Sequence, residues 1–360
     1  MDGSFTYQAL PSRVVFGAGT LQHVARELGL LGVARALVLS TAGQVALAER
    51  VATLLGDRAV GVFAGAAMHV PVETARAARE VARKAGADSV VAIGGGSTTG
   101  LGKALALEPG LPIVAVPTTY AGSEMTPTYG LTEGGVKRTG RDARVLPKTV
   151  LYDPELTLAL PLGVTVVSAM NAIAHAAESL YAFDGNPVTK LMAEEGIRAM
   201  SSALPRLHAD PRALPARTDA LYGAWLCGSV LGVTSMGLHH KLCHTLGGSF
   251  DLPHAEVHSL MLPHTLDYNA EHAPEAMQRI ARALGVQHAP SGVFDLAARH
   301  GAPLALKDLG MPEAGLDRAA DLAVTNAYPN PRPLERASIR ALLQHAFDGD
   351  RPEPRDGHRA

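Results

Sequence analysis

Six of the chain's 15 histidines fall within residues 239–264, HHKLCHTLGGSFDLPHAEVHSLMLPH. His240 and His244 are four apart, so on a helix they share a face. Gly247-Gly248 is expected to end that helix, and Pro253-His254 to open a new segment. His240, His244 and His254 are thereby expected in one cavity. Neutral imidazole binds transition metals, and near pH 7 it also serves as acid, base or anion partner. His239, His258 and His264 read as ordinary surface or capping groups. Upstream, Asn171 and His175 lie on one face of an apolar helical run; taken alone, they read as a satisfied core pair.

A second group could hold phosphate. Gly94-Gly95-Gly96-Ser97 separates a buried strand from a helix. Glycines there let a phosphate approach the backbone, and the helix N-terminus supplies amide donors. The spacing is not the usual G-x-G-x-x-G fingerprint, and a ligand-free turn is the alternative. Pro117-Thr118-Thr119-Tyr120-Ala121-Gly122-Ser123-Glu124 follows the next strand and offers three hydroxyls beside a glycine; helix capping by Thr118 or Ser123 is its alternative. Two such turns at neighbouring strand ends point to a pyrophosphate site. Ser40-Thr41 ends an earlier strand with no carboxylate to repel a 2′-phosphate, so NADP as well as NAD fits, unless this is a simple loop.

The elements that position these groups alternate. Apolar runs at Ala36–Leu39, Val60–Phe63, Asp88–Ile93 and Ile113–Val116 are separated by amphipathic stretches. That is the signature of a parallel sheet covered by helices on both faces. Residues 4–16, around Pro11, read as a hairpin or edge strands, and residues 128–152 as strand pieces around a polar hairpin at Gly134-Gly135. Past Asp153-Pro154 the period becomes helical, with breaks at Pro161, Pro187, Pro205, Pro211, Pro253, Pro274, Pro290 and Pro329–Pro333. The expected domains are 1–155, an α/β nucleotide-binding domain, and 156–352, all helical. The Pro-rich residues 353–360 are a frayed tail.

Composition sets the class. The chain has 360 residues, 47% of them hydrophobic and 18% charged, with net charge −2. It reads as a globular cytoplasmic protein with no nucleic-acid partner. Cys227 and Cys243 make no disulfide framework and read as buried thiols. The start MDGSFTYQALPSRVVFG lacks the pattern of an export signal, and no apolar run suggests a membrane span.

With these residues in view, the chain resembles the iron-containing alcohol dehydrogenase superfamily, and within it the maleylacetate reductase branch, from about Phe16 to Pro352. The resemblance implies a dehydroquinate synthase-like fold. It implies a cofactor site of Thr41, Gly94, Gly95, Gly96, Ser97, Thr118, Thr119, Ser123 and Lys148. The superfamily's metal positions fall on Asn171, His175, His240 and His254, with His244 as the second helix histidine. Asn171 stands where a carboxylate is usual, and Gly100 where an Asp is usual. Both departures match the branch, as do Met68-His69-Val70-Pro71 and Asn330-Pro331-Arg332-Pro333.

Three neutral imidazoles and an amide bring no compensating charge, so the expectation is a catalytic set of His240, Lys241, His244, His254, His175 and Asn171 with no metal required. Without an ion, the histidines are expected to become partly cationic before a dianion. The implied reaction is NADH- or NADPH-dependent reduction of the alkene of 2-maleylacetate to 3-oxoadipate, in the degradation of (chloro)aromatic compounds, by a homodimer. The substrate is a small dicarboxylate, and Lys241 and Arg332 are candidates to bind its carboxylates. The alternatives are a metal-dependent alcohol or glycerol-type dehydrogenase, and a non-catalytic nucleotide sensor.

Overall fold

The computed structural model describes residues 5–10, 12–134, 136–326 and 328–354. Residues 1–4, Pro11 and Gly135 of the expected hairpins, and the tail beyond 354, lie outside the described residues. The chain divides into two compact units, one of them Ala9–Leu160 and the other running on from Pro161.

In the first unit the strands are β1 (Arg13–Phe16), β2 (Ala36–Leu39), β3 (Ala59–Phe63), β4 (Ser89–Gly94), β5 (Ile113–Pro117), β6 (Thr128–Glu133), β7 (Val136–Arg141) and β8 (Thr149–Tyr152). The helices are α1 (Val24–Leu30), α2 (Val45–Leu55), α3 (Val72–Ala85) and α4 (Gly96–Leu107). Six strands form one parallel sheet in the order β1-β8-β5-β4-β2-β3, and β6 and β7 pair as a separate antiparallel hairpin. The apolar runs are continuous because both faces of β2, β4, β5 and β8 are buried. Val38, Val91, Ile93 and Val114 pack with Val24 and Leu28 of α1 and Val51 of α2. The other face meets α4, where a Cβ on Gly102 would sit 3.4 Å from Ala92 and 3.5 Å from Ile113. The extended N-terminal pieces yield an edge strand, β1, parallel to β8.

The second unit is helical: α5 (Leu162–Tyr181), α6 (Pro187–Ala209), α7 (Leu214–Val233), α8 (Leu238–Phe250), α9 (His254–Asn269), α10 (Pro274–Leu284), α11 (Ala289–Arg299), α12 (Leu316–Ala323) and α13 (Arg336–Asp348). Pro161, Pro187, Pro215, Pro253, Pro274 and Pro290 stand at helix starts, where the missing N–H costs nothing. Pro205 is an exception, inside α6. Ala203, Leu204 and Leu207 around it are buried, and packing outweighs the local penalty. Gly247-Gly248 likewise does not end α8. The helix runs on to Phe250, which packs against the cluster of Leu242, Leu246, Leu260 and Ile339, and stops at Asp251, with φ 53°. Among the described residues, no single helix is long and apolar enough to cross a membrane; α7 and α8 reach that composition only as a pair bent by 96°.

Helices α6 and α7 approach closely at two glycines. A Cβ on Gly223 would lie 3.0 Å from the Met200 nitrogen and 3.1 Å from the Gly196 oxygen, both backbone atoms that cannot swing away. Gly→Ala inside a helix normally gains up to about 1 kcal/mol. Overpacking costs roughly 1–3 kcal/mol, so Gly223→Ala should lower the urea midpoint. Gly248→Ala, whose Cβ would meet nothing within 4 Å, should not.

Candidate active site

The sheet unit brings its two turns together at the carboxyl ends of β4 and β5. The Thr118 amide donates to the Gly94 carbonyl at 2.9 Å. Gly94 has φ 148°, and a Cβ there would lie 2.5 Å from Thr98 Oγ1 and 2.7 Å from Gln44 Oε1, so only glycine fits. A Cβ on Gly95 would come 3.1 Å from Thr119 Cγ2, so the turns interlock. Helix α4 starts at Gly96 with no side-chain cap, which leaves its first amides facing outward beside half-buried Gly95 and Ser97. Thr41 joins from β2: its hydroxyl meets Gln44 at 3.4 Å, and Gln44 Nε2 donates to Thr118 Oγ1 at 3.0 Å. From β2 the chain proceeds to β3 on one side, and from β4 to β5 on the other, the reversal beside which open α/β sheets take ligands. Ser123 lies farther along the second turn, after Gly122 at φ 77°.

Lys148 is not brought to this edge. It precedes β8, and its amide donates to the Ile113 carbonyl at the start of β5, the far end of a strand about 13 Å long. Gly100 faces inward: a Cβ there would lie 2.7 Å from Val70 Cγ2. His69 and Val70 have φ of 61° and 47°, unusual for non-glycine residues and strained for a β-branched one. Thr132 straps them, donating from its hydroxyl to the His69 carbonyl at 2.8 Å and from its amide to the Val70 carbonyl at 3.1 Å. Buried Lys103 braces the segment after the second turn, donating to Thr126 Oγ1 at 2.9 Å and the Thr128 carbonyl at 2.6 Å. Burial lowers Lys103 to about 7.

The helical unit gathers the histidines. On α5, Asn171, His175 and Glu178 recur at helical spacing and are all buried. Glu178, missed from sequence, has no solvent exposure. It accepts from the amides of Gly237 at 3.1 Å and His239 at 2.9 Å, and from Nδ1 of His240. His240 stacks on His175 with ring centres 5.3 Å apart, and His258 lies 4.9 Å from His240 and 4.4 Å from His254. His244 and His254 stack at 6.3 Å. The set runs from exposed His244 through half-buried His254 to buried His240, His258 and His175.

His239, His258 and His264 are not surface groups; all three are buried. His258 is four residues beyond His254, the same spacing that joins His240 to His244, and that was its signal in the sequence. Burial, aided by neighbouring imidazoles, pushes His175, His239 and His258 well below the usual histidine range. Burial thus disfavours the charged form at all three, including His175, which was expected to become partly cationic.

The expectation that no metal is required is also overturned. Ligand nitrogens of His175, His240 and His258 lie within 4.8 Å of one another. His175 Nδ1, His240 Nε2, His258 Nε2 and Asn171 Oδ1 are buried with no hydrogen-bond partner. Neutral imidazoles with unclaimed nitrogens fit a divalent transition ion. The anion that Asn171 does not supply is Glu178, one residue behind the ligand atom: its carboxylate takes the His240 Nδ1–H and so turns the Nε2 lone pair to the pocket. His239, Cys243 and His258 form a second such group, but His239 Nε2 and His258 Nδ1 already face each other at 3.0 Å.

The two expected substrate ligands each meet an aromatic ring. Lys241 Nζ lies 5.9 Å over the Tyr328 ring. Arg332 stacks over Tyr268 at 4.3 Å and donates to the Tyr268 carbonyl and Ser338, bracing the chain before α13 rather than joining the histidines.

Two measurements follow from these contacts. Glu178→Gln keeps the shape but removes the charge behind His240, and should lower kcat about 10- to 100-fold while leaving the helical circular dichroism intact. Burial pushes His264 down to about 4. Below the ordinary 6.5, the unfolded chain takes up a proton that the folded chain refuses. Stability is therefore lost as pH falls from 6.5 towards 4, by about 3 kcal/mol for this group. Urea midpoints measured across that range should fall less steeply in His264→Gln.

Comparison with known proteins agrees with both halves. Residues 11–154 match the iron-containing alcohol dehydrogenase family, and residues 165–347 the C-terminal part of the Fe-containing alcohol dehydrogenase family. A maleylacetate reductase of Burkholderia cepacia is 68% identical over 97% of this chain and 99% of its own length. One of Sphingobium indicum is 58% identical over 96% of this chain and 98% of its own length. The crystal structure of a maleylacetate reductase from Agrobacterium tumefaciens superposes with a TM-score of 0.94 at 55% identity, covering 97% of this chain and 99% of that one. The chain belongs to the iron-containing alcohol dehydrogenase family, among the maleylacetate reductases.

Proposed function

We propose that this chain transfers a hydride from NADH or NADPH to the carbon–carbon double bond of 2-maleylacetate, giving 3-oxoadipate. The observation that carries the reading is the likeness to maleylacetate reductases over nearly the whole length of both chains. The same reading takes the fold as dehydroquinate synthase-like and the working molecule as a cytoplasmic homodimer.

The sheet unit holds the dinucleotide. Gly94–Ser97 and the uncapped N-terminus of α4 take the pyrophosphate, Thr118, Thr119 and Ser123 supply hydroxyls, and Thr41 faces the adenosine ribose. In the helical unit, the more accessible His244, His254 and Lys241 meet the incoming dicarboxylate, while Asn171, His175 and His240 form the buried end. Hydride adds to the alkene carbon β to the ketone. The π electrons shift towards the ketone, and the charge collects on its oxygen as an enolate. Donors from the histidine and lysine set stabilise that oxygen, and the α carbon then takes a proton, so two C–H bonds replace one C=C π bond. A divalent ion held by His175, His240 and His258 would supply Lewis acidity at the buried end.

The test is coenzyme absorbance with 2-maleylacetate, which should fall in step with 3-oxoadipate formed. Alcohol oxidation with NAD, and no turnover of 2-maleylacetate, would overturn the reading in favour of an alcohol or glycerol-type dehydrogenase. Thr41→Asp should raise KM for NADPH more than for NADH; equal effects would remove Thr41 from the ribose.

A further inference from the structure

A chain of hydrogen bonds runs from the backbone of α9 into the histidine pocket. The Thr265 hydroxyl donates back along its helix, to the carbonyls of Met261 at 3.1 Å and Leu262 at 3.0 Å. Its single proton is used there, so its oxygen accepts from His239 Nδ1, 3.1 Å away. His239 is therefore protonated on Nδ1 and presents a lone pair at Nε2. That lone pair faces His258 Nδ1 at 3.0 Å, so His258 carries its own proton on Nδ1. What remains on His258 is the Nε2 lone pair, buried and without a hydrogen-bond partner. His240 reaches the same state by a separate route, with Nδ1 against Glu178 and Nε2 unclaimed.

Thr265, His239 and His258 are all fully buried, with no solvent exposure. The ring of a free histidine side chain favours the proton on Nε2, so an Nδ1–H tautomer at both His239 and His258 requires a cause, and the order of partners along this chain supplies one.

We infer that Thr265 and His239 are positioning residues that fix the His258 tautomer, so that His258 Nε2 serves as a ligand atom beside His175 and His240. The inference rests on the reading of this pocket as a metal site. It also gives the sulfur of Cys243, 3.6 Å from His239 Nε2, no ligand role, because burial keeps that thiol protonated.

The experiment has two arms. In the first, the full-length protein carries 15N-histidine and is stripped by a chelator, and His258→Gln assigns the His258 signals. The expected spectrum has the proton on His258 Nδ1. Thr265→Val, which keeps the volume and removes the hydroxyl, should shift His258 towards the Nε2–H form, and Thr265→Ser should restore it. In the second arm, cobalt(II) is titrated into the same proteins and followed by its visible absorption. Thr265→Val should weaken binding about 10-fold, again with recovery in Thr265→Ser. A wild-type His258 protonated on Nε2 would overturn the inference, as would a Thr265→Val protein with unchanged tautomer and cobalt affinity. A wild type that binds no cobalt would remove the metal reading alone; the tautomer spectra of the stripped protein would still decide the relay.

Discussion

A carboxylate with no solvent contact holds the helical half of the site together. Glu178 on α5 receives three amides at the start of α8, those of Gly237, His239 and His240, and the ring of His240. Helix α8 has no side-chain cap of its own, so an anion on a neighbouring helix satisfies its first N–H groups and meets the positive end of its dipole. A buried carboxylate without partners would be severely destabilising. With four donors it becomes a register pin: α8 cannot slide or turn against α5 without stranding the charge. Lys241 and His244 are carried on the same helix, so their placement depends on this one group.

The pin also settles the electrostatics of the pocket. Burial keeps His175, His239 and His258 neutral, and the local negative charge sits behind His240 rather than beside it. A first-glance inventory of Asn171 and histidines is one charge short of a metal site. Counting the residue that orients the ligand removes the shortfall.

Much of this was legible in the sequence. The sheet was readable because strands buried on both faces need unbroken apolar runs, as in Ala36–Leu39 and Ile113–Pro117. The Gly94–Ser97 turn was readable because its backbone excludes side chains, and the His240–His244 pair because helical spacing fixes a shared face. Glu178 was not, because a lone acid seven residues past Asn171 looks like a solvated position until its partners arrive from α8. His239 and His258 were misread for the same reason: periodicity assigns polar residues outward, and only tertiary contacts reveal a polar core. Gly247-Gly248 and Pro205 carried local stop signals that packing overrode. Lys148 entered only through the family resemblance, and strand register puts its backbone at the opposite end of the sheet.

The contact between Gly100 and Val70 has a consequence for how such a chain can change. Val70 occupies the room that any side chain at 100 would need, and it does so on a left-handed backbone strapped down by Thr132. Position 100 and the 68–71 loop are thus one heritable unit. A lineage acquiring Asp at 100 would have to rebuild the loop in the same stretch of time, and one losing the Thr132 strap would free the loop without regaining the acid. Passage between the two forms requires change in both segments.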